Sequence, residues 1–502
     1  MSAIKSNVVV EDHVVPIDKE AERKLLRKID RNILPWICVA YLLNYIDRSN
    51  LGNAKTLNSD IKGASLSATV DLSGIKYSVV VAAFFVPYVI MEFPSNFLLK
   101  YFSPSKHMAR IMAGWGIVTA CQAAVTSYGG LVACRIFLGI AEAGFYPGAI
   151  YYLTFFYKPE ERAQRMAIFA GSVAVAGAFS GLLATAISFL NGKGGLFGWQ
   201  WLFILEAIPA LLMAVCIYFW MPDYPETAKF LTEEERALAV SRLSRHAPSA
   251  SEKTVDWPQL RQTVFNVDFW LFSLAYFFMT NSLNATGFFL PTLVSSLGFK
   301  GWRGQAMTVP PNVFACIVIV ANSIWSDKRR ERITHALGGL VLIGLGYILL
   351  AATSQVAPRM VGVFLIACTN AAVIPFLAFR LSTVSGSTAT AIASGGTIAF
   401  ANLGGITAPF IFAGHDSPRY IIGNYTVFGM QIAAGLVILL LWYRLGSSAL
   451  YTVDQKQAQA ADEESQASEH MHGAVAALPA SKESSEEREE STAEKAEKAA
   501  DK

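Results

Sequence analysis

The sequence has little charge. Only 16% of its 502 residues are Asp, Glu, Lys or Arg, whereas 53% are hydrophobic, and soluble domains usually carry about 25% charged residues. The charges gather in the first 31 residues, a stretch near 222–265, short loops and the last 55 residues. This distribution argues against a soluble domain, and a net charge of +3 is too small to indicate a nucleic-acid partner.

Motifs for catalysis, nucleotide binding and metal binding are also missing. The sequence contains no G-x-x-x-x-G-K-[ST] loop, no H-E-x-x-H and no G-x-S-x-G, so we expect neither an ATP-driven pump nor an enzyme. The six cysteines form no C-x-x-C pair, and each lies in an apolar run, which argues against disulfides and metal ligation. We therefore predict no metal site and no cofactor.

Long apolar runs recur throughout the chain. A membrane-spanning helix needs about 20 predominantly apolar residues, and the sequence predicts twelve such spans. Six precede a polar central stretch and six follow it, at roughly 33–54, 75–98, 108–127, 130–156, 166–190, 200–220, 267–291, 305–325, 335–353, 360–380, 390–413 and 423–444. This pattern predicts an all-α, multi-pass membrane protein with 12 transmembrane helices in two six-helix halves.

The polar segments complete the predicted organisation. In the central stretch, Thr232 and Glu235 have the spacing of a capping box before an amphipathic surface helix. The end of the chain is rich in Ala, Ser, Glu and Lys and has too few large apolar residues to fold alone. The predicted units are a cytosolic N-terminal tail (1–32), an N-terminal half (33–220), a cytosolic central loop (221–266), a C-terminal half (267–445) and a disordered cytosolic tail (446–502).

Orientation follows from the basic residues in short loops, which favour the cytosolic side. Lys and Arg are more frequent in the even-numbered loops, and the N-terminal and central segments add more on the same side. Both termini are therefore predicted to be cytosolic. A basic loop follows span 2, and another follows span 8, which is the second span of the C-terminal half. This correspondence indicates that the two halves are related, as in many secondary transporters.

Few charges lie inside the predicted spans. A charge at the bilayer centre costs at least about 2.5–3.5 kcal/mol, so Asp47, Arg48, Arg135 and Glu142 are functional candidates. From span lengths and a rise of 1.5 Å per residue, Arg48 lies about 22 Å along span 1 and Arg135 about 8 Å into span 4 from the opposite side. The two arginines are therefore predicted at one depth, with Glu142 two turns beyond Arg135 on the same face.

This arrangement predicts an anion site with a neighbouring proton acceptor. Arginine can grip a carboxylate bidentately, and a carboxyl in a low-dielectric site can bind and release a proton near neutral pH. Asn44, one turn from Arg48, and Asn284 in span 7 are further candidate ligands for the anion, and Asp47 is a second candidate proton carrier. The alternative is that these charges pair and hold helices together, and for Glu92 and Glu206 we favour packing or capping.

Four segments carry a family resemblance: LNYIDRSNLGNA, FFVPYVIMEFPSNFLLK, RIFLGIAEAGFYPGAIYYLTFFYKPEERAQR and GWQWLFILEAIPA. From about residue 30 to 445 the chain resembles a major facilitator superfamily transporter, and within it the fungal allantoate permease group of the anion:cation symporters. The wider group has an arginine in span 1 that matches Arg48, and an arginine and a glutamate in span 4 that match Arg135 and Glu142.

The resemblance implies proton-coupled uptake of a small organic anion, such as allantoate, nicotinate, pantothenate or biotin. We expect a monomer in the plasma membrane whose partners are the anion, protons and the lipid bilayer. Two alternatives stay open: an exporter or facilitator of a small metabolite, and a membrane nutrient sensor. The sequence does not select the substrate, because selectivity depends on the shape of the cavity.

Overall fold

The computed structural model describes residues 19–243, 257–329, 331–383, 387–412, 417 and 419–445. Apart from two short 3₁₀ turns, the elements in these ranges are α-helices. They are α1 Lys19–Thr56, α2 Leu66–Thr69, α3 Lys76–Tyr101, α4 Pro104–Gln122, α5 Tyr128–Glu142, α6 Phe145–Thr154, α7 Pro159–Ser188, α8 Gly198–Trp220, α9 Glu233–Ser241, α10 Trp257–Val264, α11 Val267–Ser296, α12 Gly301–Ala306, α13 Val309–Arg329, α14 Arg332–Ala352, α15 Val356–Ala367, α16 Asn370–Ser382, α17 Ser387–Asn402, α18 Gly404–Ile411 and α19 Ile421–Leu445.

The helices confirm the all-α fold with twelve spans. The spans in order are α1, α3, α4, α5 with α6, α7, α8, α11, α13, α14, α15 with α16, α17 with α18, and α19. By length and hydropathy alone, seven helical segments within the described ranges qualify as membrane spans. α1 does not, because polar residues such as Asn44 and Asp47 interrupt its apolar run. The predicted tail 446–502 lies outside the described residues.

The first span is longer than predicted. α1 has 38 residues and begins at Lys19, about 14 residues before the apolar run. At 1.5 Å per residue it is about 57 Å long, whereas a bilayer core is about 30 Å thick. The polar first turns of α1 therefore project beyond the membrane. We call the end of the bundle where α1 begins the near face, and the end where α1 ends the far face.

Spans 4 and 10, which occupy equivalent positions in the two halves, are both broken. In span 4, α5 ends at Glu142, and Gly144 has φ 89°, a left-handed conformation that glycine adopts without strain. A side chain at Gly144 would also collide with Ser95 on α3. In span 10, α15 ends at Ala367 and α16 begins at Asn370. Pro147 lies in the first turn of α6, after the break.

The two halves meet mainly toward the far face. Tyr77 Oη donates to the Phe288 carbonyl at 3.0 Å, and Ser78 Oγ donates to the Pro409 carbonyl at 2.6 Å. Gln305 Nε2 bonds Thr56 Oγ1 at 2.9 Å. Small residues bring the halves close here, because Gly177 and Gly181 on α7 leave room for Asn312 and Thr308 of the other half.

Ion pairs cover the near face of the N-terminal half. Thr232 Oγ1 accepts from the Glu235 N–H at 3.2 Å and Glu235 accepts from the Thr232 N–H at 2.9 Å, so the predicted capping box is confirmed. The central helix α9 is tied to α1 and α7 by side-chain pairs. The pairs of α9 are Lys28–Glu235 at 2.5 Å and that of its capping residue, Arg242–Glu161. Two further pairs, Lys158–Glu22 and Arg165–Asp30 at 2.7 Å each, join α1 directly to the first turns of α7.

Candidate substrate site

A cavity of about 1000 Å³, counted with its opening to solvent, lies between the halves. It is on the near-face side of the contacts that join them. Seven aromatic side chains contribute to its wall, and they are Tyr41, Tyr45, Phe85, Tyr88, Tyr146, Tyr276 and Phe288. The polar groups of the wall are few, as in most small-molecule sites. They are Arg48, Ser49, Thr280, Asn284, Asn370 and Asn402.

Arg48 reaches the cavity wall, and its side chain is 22% exposed. Its Nε donates to Glu142 Oε1 at 2.5 Å. The guanidinium also lies over the ring of Tyr88, 4.8 Å from the centroid, and over Phe84 at 5.5 Å. Charge-assisted pairing and ring faces hold the arginine in place, while part of it stays free for a ligand.

Glu142 lies directly behind Arg48, at the last residue of α5, with its side chain 1% exposed. Its second oxygen, Oε2, has no hydrogen-bond partner among the described residues. A carboxyl in this position compensates the charge of Arg48 when it is ionised. When it is protonated, it leaves Arg48 without that compensation.

Arg135 and Asp47 lie inside the N-terminal half and not at the cavity wall. Arg135 is 2% exposed, and its Nη2 donates to Asn50 Oδ1 at 3.4 Å. Asn50 Nδ2 in turn donates to Asp47 Oδ1 at 3.3 Å, and Asp47 is 1% exposed. The amide of Asn50 therefore bridges a buried arginine and a buried aspartate.

The charged groups of Arg48 and Arg135 lie apart because their helices run in opposite directions. Side chains on a helix lean toward its N-terminus. Arg48 on α1 therefore leans toward the near face, and Arg135 on α5 leans toward the far face. Their backbone depths were estimated to be equal, but their charged ends point apart. Consequently Glu142 pairs with Arg48, and Arg135 instead bonds to Asn50.

The two asparagines predicted as ligands differ in position. Asn284 lines the cavity, and its Nδ2 donates to the Thr280 carbonyl at 3.0 Å, which leaves its side-chain oxygen available as an acceptor. Asn44 is 1% exposed and lies in the interior, where its Nδ2 has no partner within the described ranges. Of the six predicted site residues, Arg48 and Asn284 face the cavity.

One polar contact between the halves was not predicted. Asn402 at the end of α17 donates to Glu92 Oε2 on α3 at 3.2 Å, so Glu92 links the two halves beside the cavity. Both residues are polar groups in apolar spans, but a separation of 310 positions along the chain hides their pairing.

Two tyrosines of the cavity wall were easier to predict from the sequence than the contact between Glu92 and Asn402. Tyr41 and Tyr45 precede Arg48 at helical spacing on α1. Residues spaced by four and then three lie on one helix face, so this face could have been recognised as a wall around the arginine.

Comparison with known proteins agrees with this architecture. The family model of the Major Facilitator Superfamily matches residues 37–409. The MFS-type transporter efuF of Hormonema carpetanum is 34% identical over 85% of this chain and 86% of its own length. The major facilitator-type transporter hxnP of Emericella nidulans is 32% identical over 81% of this chain and 82% of its own length.

A solved structure has the same fold. The inward-facing, unoccupied structure of a bacterial homologue of the human lysosomal transporter Spinster superposes with a TM-score of 0.59 at 17% identity, covering 87% of this chain and 99% of that one. The family match covers well over half of the chain, and relatives above 30% identity cover most of it. This chain therefore belongs to the Major Facilitator Superfamily and is a multi-pass membrane transporter of that class.

Proposed function

We propose that this transporter carries a small organic anion together with a proton, as a member of the allantoate permease group. One observation carries the proposal: Arg48 is partly exposed in the cavity and is paired from behind with buried Glu142. Arg48 can therefore exchange one carboxylate, that of Glu142, for another, that of the substrate.

Charge compensation explains the coupling. Leaving one member of a buried ion pair without its partner costs about 3–5 kcal/mol. The empty site is compensated when Glu142 is ionised and bonded to Arg48. The loaded site is compensated when Glu142 is protonated and Arg48 holds the substrate carboxylate. The other two states are unfavourable. If Glu142 is protonated and the site is empty, Arg48 has no anionic partner, and if Glu142 is ionised and the substrate is bound, two anions compete for Arg48. The anion and the proton therefore bind and leave together.

The other candidate residues act at different distances from the anion. Asn284 is the direct hydrogen-bonding ligand from the C-terminal half. Arg135 and Asn44 act from behind the wall as positioning residues. Asp47, joined to Arg135 through Asn50, is a second carboxyl that can take up a proton during the cycle.

Direction and location complete the proposal. The Lys and Arg distribution makes the near face cytosolic, with both termini on that side. The contacts at the far face then close the outer side, and the cavity opens to the cytosol. This is the state in which an uptake carrier of the plasma membrane releases its cargo.

Uptake of labelled carboxylates by cells that express the full chain tests the proposal. We expect faster uptake in weakly acidic than in neutral buffer. Glu142→Gln mimics the protonated carboxyl, so it should abolish the pH dependence and proton-driven accumulation while retaining exchange of anion across the membrane. The exposed Glu234→Gln on α9 is the matched control and should behave like the wild type. Uptake that ignores both pH and Glu142→Gln would overturn proton coupling.

A further inference from the structure

Lys55 lies in the last turn of α1, at the far face, and carries a charge that the proposed mechanism does not use. Its Nζ lies over the ring of Tyr77, 4.0 Å from the centroid, and over the ring of Phe289 at 5.5 Å. Both rings are buried. A lysine near the end of a membrane helix normally extends its ammonium toward water, so an ammonium turned onto two buried rings requires an explanation.

The charge of Lys55 is faced by aromatic rings and, in the part of the chain that the structure describes, by no carboxylate. Lys76, another lysine at the far face, instead pairs with Asp71. Ring faces attract a cation through their negative charge distribution, but they do not neutralise it. Lys55 therefore keeps the capacity to pair with an anion that comes within reach.

The two rings over Lys55 belong to different halves and meet where the halves close the far face. Tyr77 on α3 donates to the carbonyl of Phe288 on α11, the residue before Phe289. The rings of Tyr77 and Phe289 also contact each other edge to face, with centroids 5.4 Å apart. In transporters built from related halves, the halves rock against each other around the substrate site. Opening of the far face would move Phe289 away from Lys55 and expose the ammonium to that side.

Lys55 also continues the face of α1 that lines the cavity. Tyr45, Arg48, Gly52 and Lys55 are spaced by three, four and three residues, which keeps them on one helix face. A side chain at Gly52 would collide with the Phe288 carbonyl oxygen, so this face packs directly against α11 between the two cations. Seven residues separate these cations, which is about 10 Å along the helix. Once the far face opens, the same face would line the route to Arg48.

We propose that Lys55 is a second binding residue on the path of the anion: its ammonium holds the carboxylate that arrives from the far face, before Arg48 takes it over. The inference rests on the proposed function, because the ligand is the same anion. A cation at the entrance also raises the local concentration of anions. When the far face closes, the ammonium returns to the rings of Tyr77 and Phe289, and the carboxylate is left with Arg48.

Lys55→Met tests the proposal, because it keeps a side chain of similar length and removes the charge. The probe is whichever of labelled allantoate, nicotinate, pantothenate and biotin the wild-type chain takes up fastest. Half-saturating concentrations are measured for uptake by cells that express the full chain and for efflux from cells loaded with the probe. We expect the value for uptake to rise about tenfold, because a contact to a charged group is lost, while the value for efflux stays within about twofold.

A lysine that only clamped the halves together would give the opposite sign. Its loss would favour the state that is open at the far face, and the half-saturating concentration for uptake would fall. Lys55→Arg keeps the charge and should stay within about threefold of the wild type. Lys193→Met, which removes an exposed lysine of the far face, is the matched control and should change neither value.

Labelling of the wild-type chain keeps the test decisive if Lys55→Met does not reach the cell surface. An impermeant amine-reactive reagent added outside the cells should label Lys55 less when the unlabelled probe is present, and Lys193 equally in both cases. Labelling of Lys55 that ignores the probe, or a value for uptake that Lys55→Met leaves unchanged or lowers, would overturn the site and leave the proposed function standing. Absence of pH-dependent uptake for all four carboxylates would overturn the proposed function itself, and the site with it.

Discussion

The interiors of the two halves are built from different chemistry. In the N-terminal half, Asp47, Arg135, Glu142 and Glu206 are each at most 4% exposed, and Arg48 joins them at the cavity wall. In the C-terminal half the buried arginines, Arg359 and Arg380 at 5% exposed each, lie toward the two ends of span 10, and the interior between these ends holds neutral groups. Thr407 Oγ1 donates to Asn281 Oδ1 at 2.7 Å, and Ser282 Oγ lies 3.0 Å from Tyr347 Oη and 3.4 Å from Thr369 Oγ1.

The charged interior and the neutral interior respond differently to protons. Ion pairs change partner when a proton arrives, because an uncompensated buried charge is costly. Neutral hydrogen bonds keep the same partners across the physiological pH range, since hydroxyls and amides do not titrate there. Under the proposed function, proton coupling therefore belongs to the N-terminal half, whereas the neutral interior of the C-terminal half keeps its hydrogen bonds as pH changes.

Removing the charge at the boundary between the halves should have the largest effect. Arg48→Gln deprives Glu142 of its partner and removes the proposed ligand of the anion, so we expect a loss of uptake of about 100-fold or more, which corresponds to about 3 kcal/mol. Initial rates of carboxylate uptake, corrected for protein at the cell surface, measure this effect. Arg48→Lys should recover little, because lysine lacks the bidentate geometry.

Arg444→Lys is the matched control, because Arg444 pairs with Asp268 at an exposed position of the C-terminal half, where the arginine side chain is 45% exposed. It should transport at the wild-type rate. If Arg48→Gln and Arg444→Lys lost uptake equally, the difference between the two halves would have no functional meaning.

The second test concerns the buried bridge from Arg135 through Asn50 to Asp47. Arg135→Gln leaves Asp47 buried without a cation, so we expect the unfolding free energy to fall by about 3–5 kcal/mol. Asp47→Asn in the same chain should restore part of that loss, because both charges are then gone. Thermal unfolding of the purified protein, analysed as a double-mutant cycle, gives the coupling.

Tyr347→Phe is the counterpart in the C-terminal half, because it removes a neutral bond to Ser282. A typical hydrogen bond contributes about 0.5–1.5 kcal/mol, so its cost should be clearly smaller. A loss as large as that of Arg135→Gln would contradict the division between charged and neutral interiors.

The sequence predicts most of the fold because span length and hydropathy are local properties. The twelve spans and the capping box of Thr232 follow directly from them. The site was predictable only in part. The spacing of Arg135 and Glu142 correctly places them on one helix, but a depth estimate from backbone rise ignores the direction of the side chains. The contact between Glu92 and Asn402 was not predictable, because it depends on how distant helices pack.

The smallest expected effect comes from partly exposed charges on the near face of the N-terminal half. The hydrogen bond from Lys158 holds the pKa of the Glu22 carboxyl below its ordinary value of 4.5. A lowered pKa stabilises the fold at pH values above the ordinary pKa, and this contribution is lost as pH falls through the lowered value. Lys158→Met should therefore cost less than about 1 kcal/mol at neutral pH, and the difference should vanish in strong acid. Thermal midpoints measured across pH test this difference.

Lys24→Met is the control. It breaks the exposed pair with Glu20 and should leave the thermal midpoint unchanged. A cost like that of Arg135→Gln would mean that charge itself, and not its burial, distinguishes the N-terminal half.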